Sequence, residues 1–192
     1  MLTDLARQSV AALRLLVAMT VILGIAYPVA LWGVAQAFGD RAAGQPVTVE
    51  GQVVGSRLIG QDFTGDQWFH PRPSPNGYDA LASAPSNLGP TNPELLTAIA
   101  ERRTAIAESE SVPPSAVPPD AVTGSGSGLD PQISVPYAQL QAARVARTND
   151  LSLTAVTELI ALHTEGRFLG FHGEPAVNVL ELNVAVVEAS NP

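Results

Sequence analysis

The chain has 192 residues, a formal net charge of −8 and no cysteine. The missing thiols exclude disulfides, cysteine nucleophiles and cysteine-bound metals. The acidic balance argues against a nucleic-acid partner, which needs clustered positive charge. All ten basic residues are arginine, which reads as genomic base composition and not as a functional device.

Leu15 to Gly39 holds 25 residues without a charge. As a helix it would be about 37 Å long, enough to cross a hydrocarbon core of about 30 Å with some tilt. Trp32 and Phe38 fall where interfacial rings are favoured. Pro28, inside the span, frees a backbone carbonyl and predicts a kink that a neighbouring helix would re-satisfy. Gly24 and Gly33 leave flat spots for close helix approach, so Gly24, Tyr27, Pro28 and Gly33 are the expected packing positions for a membrane partner. A cleaved signal peptide ending at Ala35-Gln36-Ala37 is the competing reading. The apolar run is longer than an h-region of about 7–15 residues, which favours an uncleaved anchor. Arg7 and Arg14 precede the span and Arg41 follows it, so the positive-inside bias is slight. The simpler topology keeps the short N-terminal tail (1–14) in the cytoplasm, the helix at 15–39 and the large domain (40–192) outside.

Beyond the span, Val47, Val49 and Val53 alternate with Thr48, Glu50 and Gln52, which predicts one half-buried strand with Gly51 as a bulge. Residues 68–93 are rich in Pro, Asn and Gly and read as a long irregular loop, while Trp68, Phe69 and Tyr78 imply that part of it packs. A helix is expected over 94–110, with Arg102 and Arg103 in solvent. The Pro- and Gly/Ser-rich stretch 111–131 has a linker's composition. Pro136 starts a helix with Arg144 and Arg147 near its end, where cations suit the dipole. Ser152 caps another helix running to His163 and closed by Gly166. Leu180, Leu182, Val184 and Val186 alternate with polar or small residues, predicting a C-terminal strand. The fold class is therefore one N-terminal transmembrane α-helix plus a mixed α/β (α+β) soluble domain.

Little in these residues suggests catalysis. His70, His163 and His172 lack metal-ligand spacing. The run G-S-G-S-G-L-D-P (124–131) is neither a Walker A loop nor G-x-G-x-x-G nor a nucleophile elbow, although its amides could form an anion nest. Asp62 and Asp66 lie in a glycine-interrupted segment that implies no acid–base geometry.

Seven strings in order nonetheless form a recognisable set. They are Tyr27-Pro28, G-S-R-L-I-G-Q-D-F (55–63), W-F-H-P-R-P-S (68–74), S-N-L-G-P-T-N-P (86–93), G-S-G-S-G-L-D-P-Q-I-S (124–134), R-V-A-R (144–147) and G-E-P-A-V-N-V-L-E-L-N (173–183). With them the chain resembles the C subunit (KdpC) family of the Kdp potassium-transporting P-type ATPase. Trp68, where the family commonly has tyrosine, and the proline-rich 111–119 are local departures. The resemblance implies a non-catalytic accessory subunit of an ATP-driven potassium importer. Its partners would be the channel-like potassium-binding subunit, the P-type ATP-hydrolysing subunit and a small single-span subunit, all in a bacterial cell membrane. ATP and potassium would belong to the complex, with no metal or cofactor bound by this chain. The family has been described as a catalytic chaperone that strengthens ATP binding, which makes Ser125, Ser127, Gly128, Asp130 and Gln132 the candidate contact with nucleotide or partner and implies an ordered loop, not a linker, at 124–134. ATP is cytoplasmic, so an external domain could act on it only through structural coupling. An anchored ligand-binding protein with its site at 68–93 is the alternative.

Overall fold

The structure is a computed structural model and describes residues 2–190. Met1, Asn191 and Pro192, the ends of the expected tail and soluble domain, lie outside the described residues. The chain divides between Gln45 and Pro46 into two compact units.

In the first unit, α1 (Leu2–Val21) leads through a π-turn, Ile22–Ala26, into α2 (Tyr27–Ala35) and a 3-10 segment, Gln36–Arg41. Together they form one helix long and apolar enough to cross a membrane. Residues 2–14, the expected tail, continue this helix. The wide turn is the chain's response to Pro28. Proline has no N–H for the i−4 bond, and its ring crowds the carbonyl one turn back. Widening that turn relieves the crowding, and the Tyr27 N–H donates to the Ile22 carbonyl, five residues earlier.

The second unit opens with a hairpin of β1 (Pro46–Val49) and β2 (Gln52–Ser56). Glu50 and Gly51 sit at φ +51° and +79°, the conformation of a two-residue mirror-image turn. The single strand expected over 47–53 is thus two strands folded at Gly51, and the bulge lies at Val47/Thr48 instead. Next, α3 (Pro93–Ser109) begins where expected, with Asn92 Oδ1 accepting the Glu94 N–H at 2.8 Å. Arg103 is exposed as expected, but Arg102 folds back to donate to the Val122 carbonyl at 3.2 Å.

The linker reading that composition alone gives for 111–131 is overturned, and the ordered loop that the resemblance implies at 124–134 is present. The stretch holds a short helix, α4 (Pro119–Val122), and buries Val117, Ala121, Val122 and Ser125. Its prolines fix the backbone for these short turns, so the composition that suggests flexibility here produces order. Asp120 ties the stretch onward by accepting both the N–H and the hydroxyl of Ser134 at 2.8 Å.

Next come β3 (Gln132–Ser134), α5 (Val135–Thr148), α6 (Leu153–Leu162), β4 (Thr164–Glu165), β5 (Ala176–Asn178) and α7 (Val179–Ser190). Ser134 and Ser152 cap α5 and α6 through their hydroxyls. Gly166 does not close α6, because the chain enters β4 first. The strands form an antiparallel sheet in the order β3-β5-β4.

The expected C-terminal strand is a helix. Val179, Leu182, Asn183 and Val186 are buried in α7, which is the i, i+3, i+4, i+7 face of a helix. The alternation of Leu180, Leu182, Val184 and Val186 is a coincidence laid over that face. Val145, Val156, Ile160, Val177, Leu182 and Val186 form the core, with Phe69 fully buried among them.

Phe69 and His70 thread this core as irregular backbone, and side-chain amides replace the missing sheet. Asn183 accepts from Phe69 N at 2.8 Å and donates to its carbonyl at 3.0 Å. Gln141 does the same for His70, at 2.7 and 3.1 Å. Each amide supplies one donor and one acceptor, as a neighbouring strand would. Arg144 is not the exposed helix-end cation that its position suggests. It is 3% exposed and joins Glu110 at 2.8 Å while donating to the carbonyls of Asp66 and Trp68 at 2.6 and 2.9 Å.

Candidate functional site

The structure gathers the expected 124–134 residues into one ordered loop and joins it to two others. Ser125 is buried, its N–H donating to the Pro73 carbonyl at 3.0 Å and its Oγ accepting from Asp130 N at 3.2 Å. Ser125 Oγ also lies 3.1 Å from Ser127 Oγ, which accepts from Leu129 N at 3.0 Å. Asp130 takes the Gln132 N–H on one carboxylate oxygen at 3.0 Å and the Arg72 guanidinium on the other at 2.9 Å. Gln132 reaches away, donating its side-chain amide to Glu165 at 3.1 Å. Gly128 sits at φ +71°, and a Cβ there would lie 2.3 Å from Asn76 Oδ1.

The 68–93 stretch closes onto this loop. Ser74 Oγ lies 2.7 Å from the Gly128 carbonyl and 2.6 Å from Asn76 Oδ1, and Ser83 donates to the Ser127 carbonyl at 2.9 Å. Arg72 adds two longer bonds to the carbonyls of Thr123 and Gly124. From the other side, Gly60 N donates to the Leu129 carbonyl at 2.8 Å. A Cβ on Gly60 would lie 2.5 Å from the Asp130 carbonyl oxygen, so the G-Q-D-F segment needs glycine for this approach.

This arrangement limits what the loop can do. Its hydroxyls and carboxylate close the loop on itself and on Arg72, and Ser127 and Gly126 form its exposed tip. The backbone amides of Ser125, Gly128, Leu129, Asp130 and Gln132 are likewise bonded inside the site, so the loop is a closed surface, and it contains no nucleophile paired with a base. Among the described residues no group of three His, Asp or Glu could hold a metal ion. Sequence reasoning missed Arg72, Ser74 and Asn76. The strings 68–74 and 124–134 signal both halves, but their pairing across about fifty residues has no local signature.

His70 N–H and carbonyl belong to the core network, while its Nε2 lies 3.0 Å from the Gly65 carbonyl. Burial holds its pKa below the ordinary value, with the nearby Arg144 adding to the shift and the Gly65 carbonyl opposing it. A folded-state pKa below the unfolded one means that the unfolded chain binds the proton more readily. Its contribution is therefore complete above the unfolded value near 6.5 and is lost as pH falls through the lower folded value. Urea midpoints from pH 8 to 5 should fall at the acid end, and His70→Gln should flatten that fall.

In the first unit, Gly24 lies within the π-turn, immediately before Tyr27-Pro28. A Cβ on Gly24 would make only an ordinary contact with Thr20 at 3.9 Å, and one on Gly33 would meet nothing within 4 Å. Neither glycine is therefore required by the packing of its own helix.

The family model for "K+-transporting ATPase, c chain" matches residues 9–188. The chain is 53% identical over 191 residues to the potassium-transporting ATPase KdpC subunit of Kineococcus radiotolerans, covering 98% of this chain and 97% of that one. The proteins of the same name from Mycobacterium tuberculosis and Beijerinckia indica are 56% and 48% identical, over 94% and 89% of this chain and 97% and 88% of theirs. The matches run through the apolar helix, the 124–134 loop and α7 alike, and on them the chain belongs to the KdpC family, the c chains of K+-transporting ATPases.

Proposed function

We propose that this chain is the accessory, non-hydrolytic subunit of an ATP-driven potassium importer. Its apolar helix, residues 15–39, anchors it in a bacterial cell membrane with the N-terminus in the cytoplasm and the soluble unit, 40–192, outside. There it assembles with the channel-like potassium-binding subunit, the P-type ATP-hydrolysing subunit and a small single-span subunit. The observation that carries this reading is the end-to-end match to c chains of K+-transporting ATPases. Gly24, Tyr27, Pro28 and Gly33 are the positions at which the helix meets its membrane partners. Two glycines that their own helix does not require support that assignment.

The loop of Ser125, Ser127, Gly128, Asp130 and Gln132 serves as a contact with a partner protein. Its polar side chains are already engaged with its own backbone, which suits a fixed docking surface better than an open phosphate cradle. Any gain in ATP affinity for the P-type subunit then passes through the assembled complex. Tagged chain purified in mild detergent from membranes of potassium-starved cells should bring down a potassium-stimulated ATPase. In that complex the KM for ATP should rise when this chain is omitted. A folded, intact chain that emerges alone would overturn the assignment and favour an anchored ligand-binding protein.

A further inference from the structure

The connection from β4 to β5 ends in an apolar tip that nothing in its own unit covers. Phe168, Leu169 and Phe171 are 69, 72 and 75% exposed within four residues. The tip is nonetheless a built turn. Phe168 N donates to the His172 carbonyl at 2.8 Å and His172 N to the Phe168 carbonyl at 3.0 Å, while Gly170 N donates to the Arg167 carbonyl at 3.1 Å. Arg167 and Glu174 close its base with an ion pair at 2.7 Å. Leu169 stands at φ +54°, a left-handed conformation that glycine and asparagine adopt far more readily than leucine. Solvation and backbone preference thus both oppose leucine here, yet the position carries one. Rigid, exposed aromatic and aliphatic groups are the usual anchors of protein interfaces, since little entropy is lost when they dock.

We infer that the Arg167–Glu174 turn is a docking anchor that seats Phe168, Leu169 and Phe171 in an apolar recess, rimmed by cationic groups, on another subunit of the ATPase. Charge decides between protein and lipid. From Pro46 onward the chain has seven arginines against sixteen carboxylates, and the one arginine beside the tip is paired with Glu174. An anionic bilayer surface would repel such a unit, whereas a basic-rimmed recess would complement its excess of carboxylates.

The inference rests on the subunit assignment above, and the experiment separates the two. Full-length chain carrying Phe168→Ser with Phe171→Ser, or Leu169→Asn alone, is compared with wild type and with Leu153→Ser, which removes an exposed leucine at the start of α6. Leu169→Asn should melt at or above the wild-type temperature in the isolated chain. It should still reduce the co-purified potassium-stimulated ATPase about fivefold, and the double variant about tenfold, with Leu153→Ser unchanged. A photo-crosslinking phenylalanine analogue at 171 should capture a subunit of the ATPase in the assembled complex. Wild-type recovery by both tip variants, or crosslinking to lipid alone, overturns the anchor while leaving the assignment standing. If wild type recovers no ATPase, the assignment itself fails.

Discussion

Replacing Arg144 with methionine should remove about 3–5 kcal/mol of stability, the range for leaving one member of a buried ion pair alone. Arg144 and Glu110 are each 3% exposed at the side chain, so solvent cannot take over the abandoned carboxylate. Arg144 also serves the carbonyls of Asp66 and Trp68 and donates to Gln141 at 2.9 Å. Gln141 in turn holds His70. One substitution therefore removes a charge partner and a donor for three further groups. In a domain of this size the melting temperature should fall by about 2–4 °C for each kcal/mol lost. Converting Glu110 to methionine as well should recover much of the loss in the ion-pair part, because a buried pair replaced by apolar groups can be close to neutral. A double-mutant cycle on denaturant midpoints separates this coupling from the carbonyl bonds, which stay broken in both. Equal losses in the single and double variants would show that Arg144 acts through the carbonyls and not through Glu110.

The same residue shows where sequence reading stops. Arg144 in R-V-A-R near a helix end fits a dipole-facing surface cation. Its burial depends on Glu110 and on the 66–68 segment, two distant places in the chain, and no local pattern encodes their meeting. Elements with local chemistry were legible. Pro93, Pro136 and the N-capping Ser152 mark helix starts that the structure places within a residue or two. The long apolar helix was legible from the absence of charge alone. Alternation misled at the C-terminus, because Leu182 and Val186 fit both the strand face and the helix face. The helix is chosen by Val179 and Asn183, whose side chains meet the core only with a period near 3.6. Composition misled at 111–131 for a different reason. A linker and a chain of proline-fixed turns share the same residues, and what separates them is a neighbour to pack on. Here the neighbours are Arg102, which donates to Val122, and Ser134, which Asp120 holds. The candidate loop was legible as a string, but its closure by Arg72 and Ser74 was not.

That closure gives the second large expected effect. Gly128→Ala should destabilise the soluble unit by about 2–5 kcal/mol, from a left-handed alanine at about 1–2 kcal/mol and a crowded methyl group at about 1–3. The methyl would meet Asn76 Oδ1 at 2.3 Å and the Ala84 carbonyl at 3.2 Å, in addition to the cost of φ +71°. Asn76 cannot simply swing aside. Its amide nitrogen donates to the carbonyls of Asp79 and Ala82 at 3.0 and 2.8 Å, so displacing it loosens the neighbouring turn as well. Ser74, 2.7 Å from the Gly128 carbonyl, would lose its place at the same time. If the 124–134 loop is a docking surface, recovery of the assembled ATPase should fall further than the shift in unfolding midpoint accounts for. Asn76→Gly with Gly128→Ala removes the closest clash and should restore part of the stability, while the positive φ keeps the rest of the loss. Should the double variant regain that part of the stability yet recover no ATPase, Asn76 would be a contact in its own right. Should it regain both, the loop's contribution is its rigidity, and the exposed tip at Gly126 and Ser127 is the part left to meet the partner.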